Sequence, residues 1–492
     1  MFLFQRVHCW FALFAIAGFG VQGLVSNTGA LSVLFVNLPF PIEYINGRTF
    51  HVNISLYWTF AGIVSGIFYL LCPINNKQAQ YFTGAIFLFY SLGTLLIQAI
   101  LALHFTVIRE YLEGPVTLRA LLLVPLVMLS GYLLRAYPAL VKEKGHVIPS
   151  AIIAGLSVLT AFYASTVYYY TNSGLAEYHR FLTFHIGIEF GAEMIGLGLT
   201  VLLLIRLAAI ERPEGACIVL AAAGMAVLAL LAAGAAYLLW PENWLLLAAA
   251  GSGFSMLHVV PALVFFVVVL QRIQNWLTEN RDYRSRLSLM LVGSSLVYHI
   301  IGAGILGLFL AFPATHQYIQ GTYIVSAHSH LALFGVFGFL ALAISSYCLL
   351  ERVQLTKKEE RYCSGGVLLL HIGMLTMAAG LVMAGGLQTY LLRVLNQHTS
   401  MADALLRPYL FLRIGGGMMY MLGSLLLAGT ILKIVWQQRA AVFGSNLKSG
   451  NRSSLFKTYS RLLHKQKELQ PVIQRIVILQ RIQSIITKLA KK

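Results

Sequence analysis

The sequence predicts an all-α membrane protein that crosses the bilayer about twelve times. Three observations lead there. Apolar residues make up 58% of the 492-residue chain and charged residues only 11%, with a mean hydropathy of +0.77. A soluble domain carries about twice that charged share. Apolar runs of about 20 residues, each enough to span a bilayer, recur along almost the whole length. The chain carries a formal net charge of +18, and Lys and Arg recur at the N-terminus and in alternate loops, as the positive-inside rule requires of a polytopic chain.

The expected spans are 8–30, 50–72, 80–103, 117–137, 149–170, 182–208, 216–240, 244–271, 287–312, 323–350, 366–392 and 408–436. No soluble domain interrupts them. The first run lacks a small-residue cleavage site and is expected to be a retained helix rather than a signal peptide. Arg6, Lys77, Arg135, Lys142, Lys144, Arg206, Arg212, Arg272, Arg281, Arg284, Arg286, Arg352, Lys357, Lys358 and Arg361 place their loops, and both termini, in the cytoplasm. With the charge so disposed, no nucleic-acid partner is needed to explain it. The five cysteines are scattered, with no CxxC or CxxCH. Neither a zinc ribbon nor a covalently attached haem is encoded.

Histidines and carboxylates in apolar helices are costly and are functional candidates by default. Under this topology the spans 50–72, 182–208 and 323–350 all enter from the outer side. His51, with Arg48 at its mouth, therefore lies at a similar depth to His185, His328 and His330. That convergence suggests a shared cofactor layer near the outer face. In GTYIVSAHSHLALFGVFG, a helical turn of about 100° per residue points His328 and His330 to opposite faces. They cannot grip one metal, but each can serve its own, and imidazole is the usual axial ligand of haem iron. In HIGIEFGAE, His185, Glu189 and Glu193 share one stripe by their four-residue spacing, which suits a non-haem metal or a proton path. The outer loop VIREYLEGP offers Arg109 to an anionic group, and Glu110 and Glu113 to a hard cation. The span 216–240 has no ionisable residue in its membrane part, while His258 lies deep in 244–271. His104, His299 and His371, taken singly, read as structural hydrogen-bonded residues.

The composition changes after Trp436. Residues 1–436 are expected to form one transmembrane domain. Residues 437–492 are polar and basic, and IQRIVILQRIQSIITKLAKK reads as an amphipathic cytoplasmic helix lying on anionic membrane lipid.

Taken in order, LPF, NGRTFHVN, IREYLEGP, HIGIEFGAE, GSGFSMLHVVP, GAGILGLF, QGTYIVSAHSHLALFG, GLQTYLLRV and RPYLFLRIG resemble the catalytic subunit of bacterial nitric oxide reductase. That family is a branch of the haem–copper oxidase superfamily, and the resemblance runs from about residue 1 to 436. It implies a subunit I-type bundle with two haem b groups. His51 and His330 match the axial ligands of the low-spin haem b, and His328 the proximal ligand of the high-spin haem b. Arg109 matches an arginine near the propionates, and Glu110 a ligand of a calcium ion bridging the haems. His185 matches a ligand of the non-haem iron. Glu189 and Glu193 match the glutamates supporting that metal and its proton supply.

Two departures stand out. The family carries a histidine pair where this chain has Ala235 and Ala236, and a glutamate where it has His258. Either His185, Glu189 and His258 hold a second metal, or no second metal is held. Three functions follow as expectations: a nitric oxide reductase; a divergent haem protein with an electron-transfer, gas-binding or assembly role; or an oxygen reductase of the same superfamily. The resemblance further implies a bacterial inner-membrane protein acting on a small gas, NO or O2. Its expected electron donor is a membrane-anchored c-type cytochrome subunit, with quinol as the alternative.

Overall fold

The computed structural model describes residues 6–34, 44–72, 76–103, 114–168, 190–207, 209–238 and 282–444, with a few isolated positions between 171 and 271. Every regular element among them is a helix: α1 Val7–Leu34, α2 Tyr44–Gly66, α3 Lys77–Ala102, α4 Val116–Lys144, α5 Val147–Ser165, α6 Gly191–Arg206, α7 Arg212–Leu238, α8 Tyr283–Tyr298, α9 Gly307–Ala311, α10 Pro313–Ile319, α11 Tyr323–Ser329, α12 Phe339–Leu350, α13 Lys357–Thr389, α14 Thr399–Gln437 and α15 Arg439–Phe443. Four π-helical segments, Ile67–Leu71, His299–Leu306, His330–Gly338 and Tyr390–Val394, continue or join these helices. Among the described residues nine helices are long and apolar enough to cross a membrane. The fold is therefore the all-α polytopic bundle that the hydropathy demands, because a backbone in lipid must satisfy its own N–H and C=O groups. The chain divides into two units, Met1–Phe443 and Gly444–Lys492.

Helix starts follow local chemistry. The Asn76 side chain accepts from the Ala79 amide at 2.7 Å and caps α3. Thr356 and Glu359 form a reciprocal capping box at α13, satisfying donors that a helix N-terminus otherwise leaves open. The Thr322 hydroxyl accepts from Ile324 N and starts α11, the helix that carries His328.

Lipid offers helices no hydrophobic drive to associate, so close backbone packing and interhelical polar contacts hold the bundle together. α13 and α14 pack side by side, and a Cβ at Gly373 would collide with the Tyr420 backbone. A buried aromatic cluster joins α1, α2, α12 and α14. Phe19 lies 5.2 Å from Trp58. Phe334 lies 4.9 Å from Tyr420 and 5.0 Å from Phe339. Of these rings, Trp58, Phe334 and Tyr420 also line the cavity described below.

The two long π segments pack against each other. At their contact, a Cβ on Gly302 would run into Leu331 and the Ala332 backbone. Glycine at 302 thus lets His299–Leu306 lie directly against His330–Gly338. Wide π turns recur at functional sites, and here both begin at a histidine.

Candidate haem site

His51 projects from α2 and His330 opens the π segment after α11. Their ring centres are 6.0 Å apart, with the planes inclined by 22°. An imidazole–metal bond is about 2 Å, and the ligating nitrogen sits about 1.1 Å from its ring centre. Two imidazoles on opposite sides of one iron would therefore have centres about 6.3 Å apart. The observed 6.0 Å is close to that span.

The hydrogen bonds fix the tautomers. His330 Nδ1 lies 2.7 Å from the Ser326 carbonyl oxygen, and His328 Nδ1 lies 2.9 Å from the Gly302 carbonyl oxygen. A carbonyl only accepts, so both rings donate from Nδ1–H and keep the Nε2 lone pair available for a metal. This is the second-sphere arrangement that orients ligating histidines and raises their basicity.

The same two contacts separate the rings. His330 turns toward α2 and His51, while His328 turns toward the His299–Leu306 segment. A Cβ on Gly307 would sit 3.3 Å from His328 Cε1, so glycine there leaves the face of the His328 ring uncrowded.

His51 and His330 line a cavity of about 360 Å³. Its walls are largely apolar, as suits a flat hydrophobic macrocycle. Arg48 of α2 and Arg413 of α14 also line it. An arginine fork is the preferred partner of a carboxylate, so the donor set matches a haem: two imidazoles for the iron and two guanidiniums for the acid side chains. Sequence reasoning missed Arg413. Its signal was available, since it is a charge inside the apolar run 408–436, and such charges are functional candidates.

Glu193, in the first turn of α6, lies 3.4 Å from His299 Nε2, and both side chains are largely buried. His299 opens the π segment whose Gly302 carbonyl holds His328. Glu193 and His328 are thus linked through one short backbone segment. His371 is embraced by Ser294 at 2.9 Å and Tyr298 at 3.0 Å, with its ring against Phe339. Both ring nitrogens have hydroxyl partners, which describes a structural residue.

His185, Glu189, His258, Arg109 and Glu110 lie outside the described residues. Among the described residues no group of three or more His, Cys, Asp or Glu side chains is arranged to hold a metal ion.

The sequence profile of the cytochrome c and quinol oxidase polypeptide I family matches residues 6–419, the stretch that contains every histidine described above. The chain belongs to this family. As a member of the cytochrome c and quinol oxidase polypeptide I family, it is a haem-binding subunit of the haem–copper oxidoreductase superfamily. It is also similar to a nitric oxide reductase subunit of Stutzerimonas stutzeri, at 23% identity over 444 residues, covering 84% of this chain and 90% of that protein.

Proposed function

We infer that the chain is the haem-carrying subunit of a respiratory nitric oxide reductase-like enzyme in a bacterial inner membrane, with both termini in the cytoplasm. It would couple two NO, two electrons and two protons to N2O and water. The observation that carries this reading is the His51–His330 pair at 6.0 Å, with His328 turned the other way on the Gly302 carbonyl. His51 and His330 would hold a low-spin haem b, and His328 a high-spin haem b. When bound, these groups supply one-electron redox chemistry and an iron site for a small gas.

The chain's own residues prepare that chemistry. The Ser326 and Gly302 carbonyls fix the His330 and His328 tautomers and aim their Nε2 atoms. Arg48 and Arg413, which line the cavity, would balance the charge of the propionates. The aromatic wall of Trp58, Phe334 and Tyr420 would keep water from the low-spin side. Glu193 is suited to hold a proton at its carboxylate, with His299 as the neighbouring acceptor or donor. Arg109 would meet propionates from the outer loop, and Glu110 a calcium ion. His185, Glu189 and His258 would hold any second metal. Electrons would come from a separate c-type cytochrome subunit, with quinol as the alternative.

A second reading is favoured by one specific observation: Ala235 and Ala236 stand where the resembling family has a histidine pair. Alanine cannot ligate iron. On that reading the chain keeps its haems and works in electron transfer, gas binding or assembly without a second metal. Metal analysis of the purified protein separates the two. Two haems with one non-haem iron, and NO consumption, supports the first. Two haems alone, with NO left untouched, supports the second. Consumption of O2 in place of NO would move the protein to the oxygen-reductase branch.

A further inference from the structure

The two axial imidazoles rest on different supports. His330 presents Nδ1–H to a backbone carbonyl. His51 Nδ1 instead faces a side-chain amide, with Gln22 Nε2 at 3.5 Å. Gln22 is buried on α1. Its Oε1 accepts from Trp58 Nε1 at 2.8 Å and from the Tyr420 hydroxyl at 3.3 Å.

The amide orientation follows from donor chemistry. An indole N–H only donates, so the carbonyl end of Gln22 belongs toward Trp58 and the NH2 end toward His51. An amide NH2 also only donates. When His51 gives its Nε2 lone pair to iron, the neutral ring carries its proton on Nδ1, and two donors then face each other. The conflict is relieved if the amide turns over and brings Oε1 to Nδ1. Tyr420 tolerates that turn, since a hydroxyl both donates and accepts. Trp58 does not, and its buried N–H loses its acceptor, a change that costs about 1–3 kcal/mol in general.

We propose that Gln22 is a positioning residue for His51: Trp58 and the iron-bound His51 compete for its single carbonyl oxygen, and this competition sets the reduction potential of the low-spin haem. A good acceptor at Nδ1 makes the imidazole a stronger donor and stabilises ferric iron. Competition weakens the acceptor, so the potential stays higher than a backbone carbonyl at that position would allow. His330 is the firmly supported ligand of the pair and His51 the adjustable one. This inference rests on the haem reading above.

The test is a redox titration of the low-spin haem in the purified, haem-loaded full chain. Gln22→Glu supplies a permanent acceptor and should lower the midpoint by about 59 mV or more, a tenfold change in the one-electron ratio. A carboxylate also lowers a potential through its charge alone, so Trp58→Phe is the deciding variant. It adds no charge, removes the obligate competing donor, and should shift the midpoint in the same downward direction by a smaller amount. Gln22→Leu removes the acceptor and should raise it. The inference is overturned if Trp58→Phe leaves the midpoint unchanged or raises it, or if Gln22→Leu lowers it. The haem reading fails separately, if His51→Ala retains an intact low-spin spectrum.

Discussion

Glu193 and His299 meet at 3.4 Å in the interior of the bundle, the carboxylate from α6 and the imidazole from the start of a π segment. A carboxylate in an apolar helix is expensive unless it has such a partner. His299 begins the same segment that holds Gly302, whose carbonyl orients His328. Glu193 and the His328 ring are therefore joined through one short backbone segment. Glu193→Gln keeps the shape but removes the acid. Turnover of the gas substrate should fall by about 10²-fold or more, the usual size of a lost acid–base group, while both haem spectra stay in place. Unchanged turnover would make Glu193 a structural carboxylate.

The His51–His330 separation predicts a selective loss. His51→Ala or His330→Ala should abolish the low-spin signal in reduced-minus-oxidised spectra and leave the high-spin haem. His328→Ala should do the reverse. Loss of both haems in all three variants would mean that the rings hold the bundle together rather than separate irons.

Arg413 lines the same cavity as the two rings, and a charge-assisted hydrogen bond is worth about 1.5–3 kcal/mol. Arg413→Ala should therefore weaken retention of the low-spin haem by roughly 10- to 100-fold, measured as haem content after detergent dialysis. Arg413→Lys should recover part of the loss, since charge survives but the fork does not. Equal haem content in all three proteins would place the propionates elsewhere.

Gly302 has no space for a side chain against Leu331 and Ala332. Gly302→Val should push the two π segments apart and draw the carbonyl away from His328. The high-spin signal should broaden or vanish, with the His51–His330 haem less affected. A normal high-spin spectrum would show that His328 does not depend on this contact.

Much of this arrangement is legible in the sequence for simple reasons. Apolar run length and loop charge answer to the bilayer alone, so the membrane-spanning bundle can be read without knowing any contact. The opposed His328 and His330 follow from helical periodicity over two residues, a distance too short for the π turn beginning at His330 to disturb. Gln22 and Arg413 escape such a reading. A single glutamine in an apolar run has no periodicity, and its meaning appears only when α1, α2 and α14 bring Trp58, His51 and Tyr420 around it. His299 reads as a structural histidine because its partner, Glu193, is far away in sequence and on another helix. His371 can be read singly for the opposite reason: two hydroxyls suffice to satisfy it.

The last prediction concerns the alanines on α7. Ala235 and Ala236 both fall within this helix, Arg212–Leu238, where the resembling family places two iron ligands. A non-haem iron bound by His185, Glu189 and His258 alone would have fewer imidazoles, and sites short of ligands bind iron weakly and orient it poorly. Restoring the pair with Ala235→His and Ala236→His should raise non-haem iron toward one per chain. NO consumption should rise with it, and the haem spectra should not change. If iron rises without turnover, the chain has lost more than two ligands, and the electron-transfer or gas-binding reading gains. If the unaltered protein already holds one non-haem iron and consumes NO rapidly, the two histidines were never needed, and His185, Glu189 and His258 are sufficient.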